Sequence, residues 1–156
     1  GAVATGAGLT IKTFAGYLPL VPTKETTAMV EALNDANASC GNKYKVTGLD
    51  TLKHSTGSTD YGDVSSIMPT VQFNTGGYTG VMHNPDVMPT DEYLAYVMTA
   101  KVFALAGYKL LKNGGSYAKA MMDSFEAVMT KDEYIKYMDS MMAEEHIEMS
   151  PLPLLD

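Results

Sequence analysis

Cysteine and basic residues are scarce in this sequence. Cys40 is the only cysteine among the 156 residues, so the chain cannot form an internal disulfide bond, as is typical of proteins from a reducing compartment. Lys and Arg total 11 against 18 Asp and Glu, which gives a formal net charge of −7. Because nucleic-acid binding needs clustered Lys and Arg against the phosphates, this charge argues against that class of function. No signal segment is recognised at the N-terminus, and we expect a cytoplasmic protein.

A hydrophobic run that would span a membrane comfortably is also lacking. Residues 94–111 are apolar enough to raise the question, but Lys101 and Lys109 interrupt them. The stretch is also shorter than the roughly 20 apolar residues that a membrane helix needs. We therefore predict that residues 94–111 form a buried helix of a soluble protein.

Hydrophobic periodicity predicts strands separated by helices. Residues 9–20 begin with alternation and predict one strand, while residues 44–49 and 70–74 predict two more from their β-branched and apolar content. The predicted helices are 24–38 capped by Thr23, 60–68 ended by Pro69, 91–111 capped by Thr90, a helix from about Tyr117, and 131–145 capped by Thr130 with Glu133. This order predicts an α/β fold in which helices pack on a small parallel or mixed sheet. Two clear strands in that alternation are few for 156 residues, which suggests that part of the sheet is missing.

The most informative stretch is 57–94, which contains a single histidine. His83 follows a glycine loop and precedes Pro85, and a histidine on such a turn is a candidate metal ligand. A lone histidine is more often a hydrogen-bonded loop residue, and both interpretations stay open on this evidence. Asp60 and Asp63 are open in the same way, because each could simply cap a short helix.

Two segments of this stretch resemble one known enzyme family. Residues 57–69 read GSTDYGDVSSIMP, which is similar to a GST-D-x-G-D-V-S-x-x-x-P segment of p-aminobenzoyl-glutamate hydrolases. Residues 83–94 read HNPDVMPTDEYL, which resembles the H-x-P-x-F … D-E-x-x-L ending of the wider family. That family comprises dizinc amidohydrolases and exopeptidases, including aminoacylases and carboxypeptidase G-type enzymes. Val87 departs from the pattern, since many relatives carry an aromatic residue there.

The resemblance implies a domain division and a set of site residues. It makes residues 1–20 the last strand of an inserted lid domain and residues 21–156 the C-terminal part of a metallopeptidase-type catalytic domain. His83 would be the last protein ligand of the metal pair, which is zinc in the parent family. The residues implied to bind substrate or to orient groups beside the metals are Ser58, Asp60, Asp63 and Asn84.

The activity implied by the resemblance is hydrolysis of an amide bond next to a free carboxylate, as in N-acyl amino acids or aminobenzoyl-glutamate. Relatives are more than twice this long, and their N-terminal part supplies the other metal ligands and the catalytic glutamate. No catalytic residue is therefore assigned here. We expect a fragment or subunit that is inactive alone, binds zinc weakly or not at all, and needs either the missing N-terminal half or a second copy of itself in a homo-oligomer. The alternative is a non-catalytic module that keeps the fold and serves a partner-binding or structural role.

Overall fold

The computed structural model describes residues 1–47 and 59–149, which combine helices with short antiparallel strand pairs. The elements are β1 (Leu9–Thr13), α1 (Thr27–Ala38), α2 (Tyr61–Ile67), β2 (Tyr78–Thr79), β3 (Met88–Pro89), α3 (Thr99–Asp123), α4 (Lys131–Ser140) and β4 (Ala143–Ile147). A 3₁₀ turn spans Val3–Thr5, and a π-helical turn, Tyr93–Met98, leads into α3. The broad expectation of a mixed α/β fold is confirmed.

The core lies between α1 and α3. Small side chains line the contact on α1, where Ala32 and Ala36 are fully buried. Met98, Val102 and Ala106 meet them from the π-helical turn and α3. Alanine at helical spacing lets two backbones approach closely, so these helices pack on each other. The prediction that they pack on a parallel or mixed sheet is not confirmed, because both sheets among the described residues are antiparallel pairs.

The start of α1 differs from the prediction. The helix begins at Thr27, and the residue before it is Thr26. Thr23, the predicted cap, uses its hydroxyl elsewhere: it donates to the carbonyl oxygen of Thr70 at 2.7 Å and accepts the Thr70 N–H at 2.9 Å. The predicted end is confirmed, since the N–H of Asn42 returns to the carbonyl of Asn37 at 2.9 Å.

The long helix is capped one residue later than predicted. The side chain of Asp91, not Thr90, accepts the N–H of Leu94 at 3.0 Å. That hydrogen bond is the main cause of the lowered pKa of Asp91, and a negative charge at this end also suits the helix dipole. The predicted end near residue 113 is confirmed, because the backbone from Lys112 to Gly115 leaves helical geometry and divides α3 into 99–111 and 116–123.

Among the described residues, Tyr93–Asp123 is the one helical segment that is long and apolar enough to cross a membrane, and its most apolar 18-residue window has a mean hydropathy of 1.3. The core helices of soluble proteins share this property. Only 28% of its most apolar window is buried within the chain. The cytoplasmic location therefore stays a prediction.

The N-terminal strand has a partner that the sequence did not suggest. β1 ends at Thr13 instead of residue 20 and pairs antiparallel with β4, with Leu9 opposite Ile147. The helical spacing of the methionines predicts a last helix that continues to residue 145, but α4 ends at Ser140 and residues 143–147 form β4 instead.

The two strands predicted at 44–49 and 70–74 are not found as strands. Residues 44–47 and 70–74 carry no strand pairing, and residues 48 and 49 lie outside the described part. Residues 71–76 nevertheless alternate as a strand does: Val71, Phe73 and Thr75 are half-buried, while Gln72 and Asn74 are exposed. The burial of residues 71–76 thus follows a strand pattern. Among the described residues, no neighbouring strand pairs with them.

Candidate functional site

His83 lies at the tip of a short hairpin. β2 and β3 pair antiparallel over two positions, with Thr79 opposite Met88. The hairpin depends on Gly80, whose φ is +93° and whose added Cβ would collide with the backbone of Asp86. Only glycine accepts both conditions readily, so the sequence fixes the path of this turn.

The backbone at His83 is itself in the left-handed region, with a φ of +68°. Two turn hydrogen bonds hold it there, from the N–H of Asn84 to the carbonyl of Val81 and from the N–H of Val87 to the carbonyl of Asn84. The side chain of His83 is exposed. Within the described residues its imidazole forms no hydrogen bond or ion pair, so both ring nitrogens are accessible to a ligand. Asn84, the predicted neighbour in the site, serves as a turn residue and is equally exposed.

The predicted acidic residues lie on and just before α2. Ser58 lies outside the described residues. Asp60 is exposed and makes no side-chain capping bond to α2. Asp63 accepts the N–H of Leu18 at 2.9 Å, which ties the chain after β1 to α2. Burial and then the negative charge of Asp63 raise the pKa of Tyr134. The described contacts do not bring these carboxylates to His83.

The donors present do not fit a zinc site. Across residues 1–47 and 59–149, no group of three or more His, Cys, Asp or Glu side chains is placed to hold a metal ion. A catalytic zinc typically takes three protein ligands, and His83 alone supplies one. A three-ligand metal site that uses His83 would therefore need at least one ligand from beyond the described residues.

An open cleft, not foreseen from the sequence, has a volume of about 710 Å³. Its edges are three stretches without helix or strand, at 20–23, 44–47 and 70–76, and its apolar lining comes from Leu33, Leu94, Met98 and Val102. The β-branched and apolar content of residues 44–49 and 70–74 predicted strands there, and nothing in it showed that the space between the two segments is open.

A charged cluster between α1 and α3 was also missed. Lys109 is only 6% exposed, and its ammonium contacts Glu31 at 3.0 Å and Asp35 at 2.6 Å. Tyr117, after the break in α3, donates its hydroxyl to Glu31 at 2.6 Å. The hydrogen bonds from Tyr117 and then Lys109 lower the pKa of Glu31, and those to Asp35 and then Glu31 raise the pKa of Lys109. A lysine interrupting an apolar helix was the sequence signal for this cluster.

Comparison with known proteins gives no relative for this chain. No protein-family profile matches the sequence, no curated protein matches it, and no solved structure matches its fold.

Proposed function

We propose that this chain is a fragment or subunit of a metal-dependent amidohydrolase or peptidase that hydrolyses an amide bond next to a free carboxylate. The proposal rests on the exposure and backbone conformation of His83. Its imidazole is exposed, has no partner among the described residues, and lies on a turn fixed by Gly80. A histidine held at positive φ is uncommon, and such backbone strain concentrates at functional sites.

In this proposal the chain is inactive alone. One histidine cannot hold a catalytic zinc, and the described residues form no group of three or more possible ligands. This chain contributes His83 as one metal ligand, held on the β2–β3 hairpin. A second polypeptide supplies the remaining ligands and the general base. In this proposal the motif-like segment around Asp63 has a structural role, because the carboxylate of Asp63 accepts the N–H of Leu18 and so ties that residue to α2.

The experiment is turnover of an N-acyl amino acid and of p-aminobenzoyl-glutamate in the presence of zinc. We expect no hydrolysis by the purified chain. We expect hydrolysis when the chain is co-expressed with the product of the reading frame immediately upstream, if that frame encodes histidine and glutamate ligand motifs. Robust turnover by the purified chain alone would refute the incomplete-site proposal.

A non-catalytic role is the second candidate, and the open cleft favours it. A module that binds a partner needs an accessible surface, and the cleft exposes both apolar side chains and backbone. This candidate predicts that the co-expressed pair forms but hydrolyses neither substrate, and that replacing His83 leaves pair formation unchanged.

A further inference from the structure

The break in α3 contains an asparagine that is followed by glycine. Asn113-Gly114 is the one Asn-Gly pair in the sequence, and both residues are exposed. Their backbone is left-handed, with a φ of +53° at Asn113 and +66° at Gly114. A Cβ added to Gly114 would meet no atom of the described residues within 4 Å. The pair therefore lies outside helical geometry with open space around its glycine.

An Asn-Gly pair in this setting can lose its side-chain amide through a cyclic imide. The backbone nitrogen of Gly114 attacks Cγ of Asn113 and forms a C–N bond. The Cγ–Nδ2 bond breaks, and the amide proton of Gly114 leaves with that nitrogen as ammonia. Glycine favours this ring closure because it has no side chain to block the attack and the least restricted backbone.

Water then opens the imide at one of its two carbonyl carbons, and no oxidant or reductant takes part. One opening leaves an aspartate at position 113. The other leaves isoaspartate, in which the main chain continues through the former side-chain carbonyl and is longer by one carbon. Both products add a negative charge to the break.

The position of this pair matters because the break separates two residues that contact the same carboxylate. Lys109 before the break and Tyr117 after it donate to Glu31, at 3.0 Å and 2.6 Å. An extra main-chain carbon between them changes their relative position. In addition, the ammonium of Lys112 lies 5.8 Å from the ring centre of Tyr117, and a new carboxylate on the next residue would compete for that ammonium.

We propose that Asn113 is a site of spontaneous deamidation, and that its conversion loosens the segment after the break from α1. The released ammonia is lost to the solvent, so the converted fraction grows with the age of the chain. This inference does not depend on the amidohydrolase proposal. Failure of the turnover experiment would leave it standing, and failure of the experiments below would leave the role of His83 untouched.

Two other asparagines of the chain serve as matched controls. Asn42 is also exposed and left-handed, with a φ of +57°, but Lys43 follows it. Asn84 is exposed on a turn, but it precedes Pro85, which has no backbone N–H to lose and cannot close the imide. Asn42 therefore isolates the effect of the following glycine, and Asn84 gives the background.

The first test is peptide mapping by mass spectrometry after the folded chain has been incubated in mildly alkaline buffer. Conversion replaces an NH group by an oxygen in the mass, and chromatography separates isoaspartate from aspartate. We expect Asn113 to convert at least about tenfold faster than Asn42 and Asn84 to stay unchanged. Asn113→Gln should show no conversion at that position, because closure would need a larger ring. Equal rates at Asn113 and Asn42, or an unchanged Asn113, would overturn the assignment of the site.

Urea denaturation tests the structural consequence. We expect the incubated wild type to have a lower midpoint than the fresh protein, and incubated Asn113→Gln to keep its midpoint. In Glu31→Ala, which has already lost the bridging carboxylate, incubation should shift the midpoint much less than in wild type. Equal shifts in wild type and Glu31→Ala, or no shift in a fully converted wild type, would show that conversion of Asn113 does not act through this contact.

Discussion

At the residue scale, Glu31 joins separate parts of the chain. It lies on α1, yet it accepts hydrogen bonds from Lys109 before the break in α3 and from Tyr117 after it. The break itself is polar and non-helical, from Lys112 to Gly115. Glu31 therefore links the two parts of α3 on either side of the break.

This contact predicts a pH dependence of stability. The pKa of Glu31 is lowered from its ordinary value of 4.5 in the folded chain, so its contribution is present above about 4.5 and is lost as pH falls through the lowered value. We expect Glu31→Gln to reduce the urea midpoint at pH 7, with the difference from wild type shrinking as the pH falls below 4.5 and through the lowered pKa.

The control for that measurement is Glu126→Gln. Glu126 is highly exposed, and its distance from Lys24 is 3.9 Å, so its replacement should leave the profile close to that of wild type, as is usual for surface pairs. A difference between wild type and Glu31→Gln that is equally large at pH 3 and pH 7 would show that the carboxylate charge is not what stabilises the contact.

Single residues were predictable from sequence where the chemistry is local. The capping box of Thr130 and Glu133 was predicted and is confirmed, because both partners lie within one helical turn. The cap at Thr23 was predicted wrongly, since its hydroxyl bonds the backbone of Thr70. The sequence around one helix cannot show a hydrogen-bond partner that lies 47 positions further along the chain.

At the element scale, the position of α2 is set by a backbone crossing. Gly62 touches the backbone of Leu18 so closely that an added Cβ would overlap its carbonyl oxygen. Ser65 reinforces the crossing, since its hydroxyl accepts the N–H of Val21 at 2.9 Å. The glycine of the family-like segment thus has a packing reason that is independent of any active site.

A pair of glycine substitutions tests this crossing. Gly62→Ala should destabilise the chain by roughly 1–3 kcal/mol, because the backbone must shift to admit a methyl group. Gly107→Ala, in α3 with open space around its Cβ position, should stabilise it by about 0.5–1 kcal/mol through helix propensity. Urea denaturation measures both, and equal effects of the two substitutions would mean that α2 does not cross Leu18 this closely.

Helices and strands could be predicted from sequence where the signals for them lie within the element itself. The helix near 27–38 and the end of the long helix at 112–115 follow from local signals and are confirmed. Residues 70–74 show where prediction from one segment stops. A β-strand forms only beside a neighbouring strand, and the sequence of one segment does not show whether that neighbour is present. β4 was missed because the helical spacing of Met138, Met141 and Met142 continued past the true end of α4.

At the scale of the whole molecule, the described chain leaves much apolar surface uncovered. The largest fully buried side chains are only Val102 and Ser65, whereas Phe103, Tyr108 and Leu111 on α3 are 61–80% exposed. The total exposed surface is 11346 Å², against about 7,700 Å² for a compact monomer of this mass. Apolar patches of this kind are usually covered by another chain.

We therefore expect the isolated chain to self-associate through the exposed face of α3, most simply as a twofold dimer. Light scattering at micromolar concentration should report a mass above 16.8 kDa, and a hydrophobic dye should bind and brighten. A stable monomer that ignores the dye would show that the chain covers its own apolar surface and needs no partner.

The candidate site could be predicted from the sequence only where its features are local. The exposed turn at His83 was recognisable from its flanks, and its left-handed backbone supports a special role. The carboxylates at 60 and 63 were not separable from structural residues, because one side-chain contact to Leu18 decides the matter for Asp63. In our proposal the remaining metal ligands come from a second polypeptide, and the sequence of this chain carries no signal for them.

The most direct measurement of the central proposal is zinc content and turnover of the co-expressed pair with two histidine variants. We expect His83→Ala to remove N-acyl amino acid hydrolysis and to lower bound zinc, since metal sites rarely tolerate loss of a ligand. His146→Ala is the matched control, because His146 is exposed on β4 and bonds Thr10 at 2.9 Å, and it should change neither quantity. Full zinc and full turnover in the His83→Ala pair would contradict the proposal.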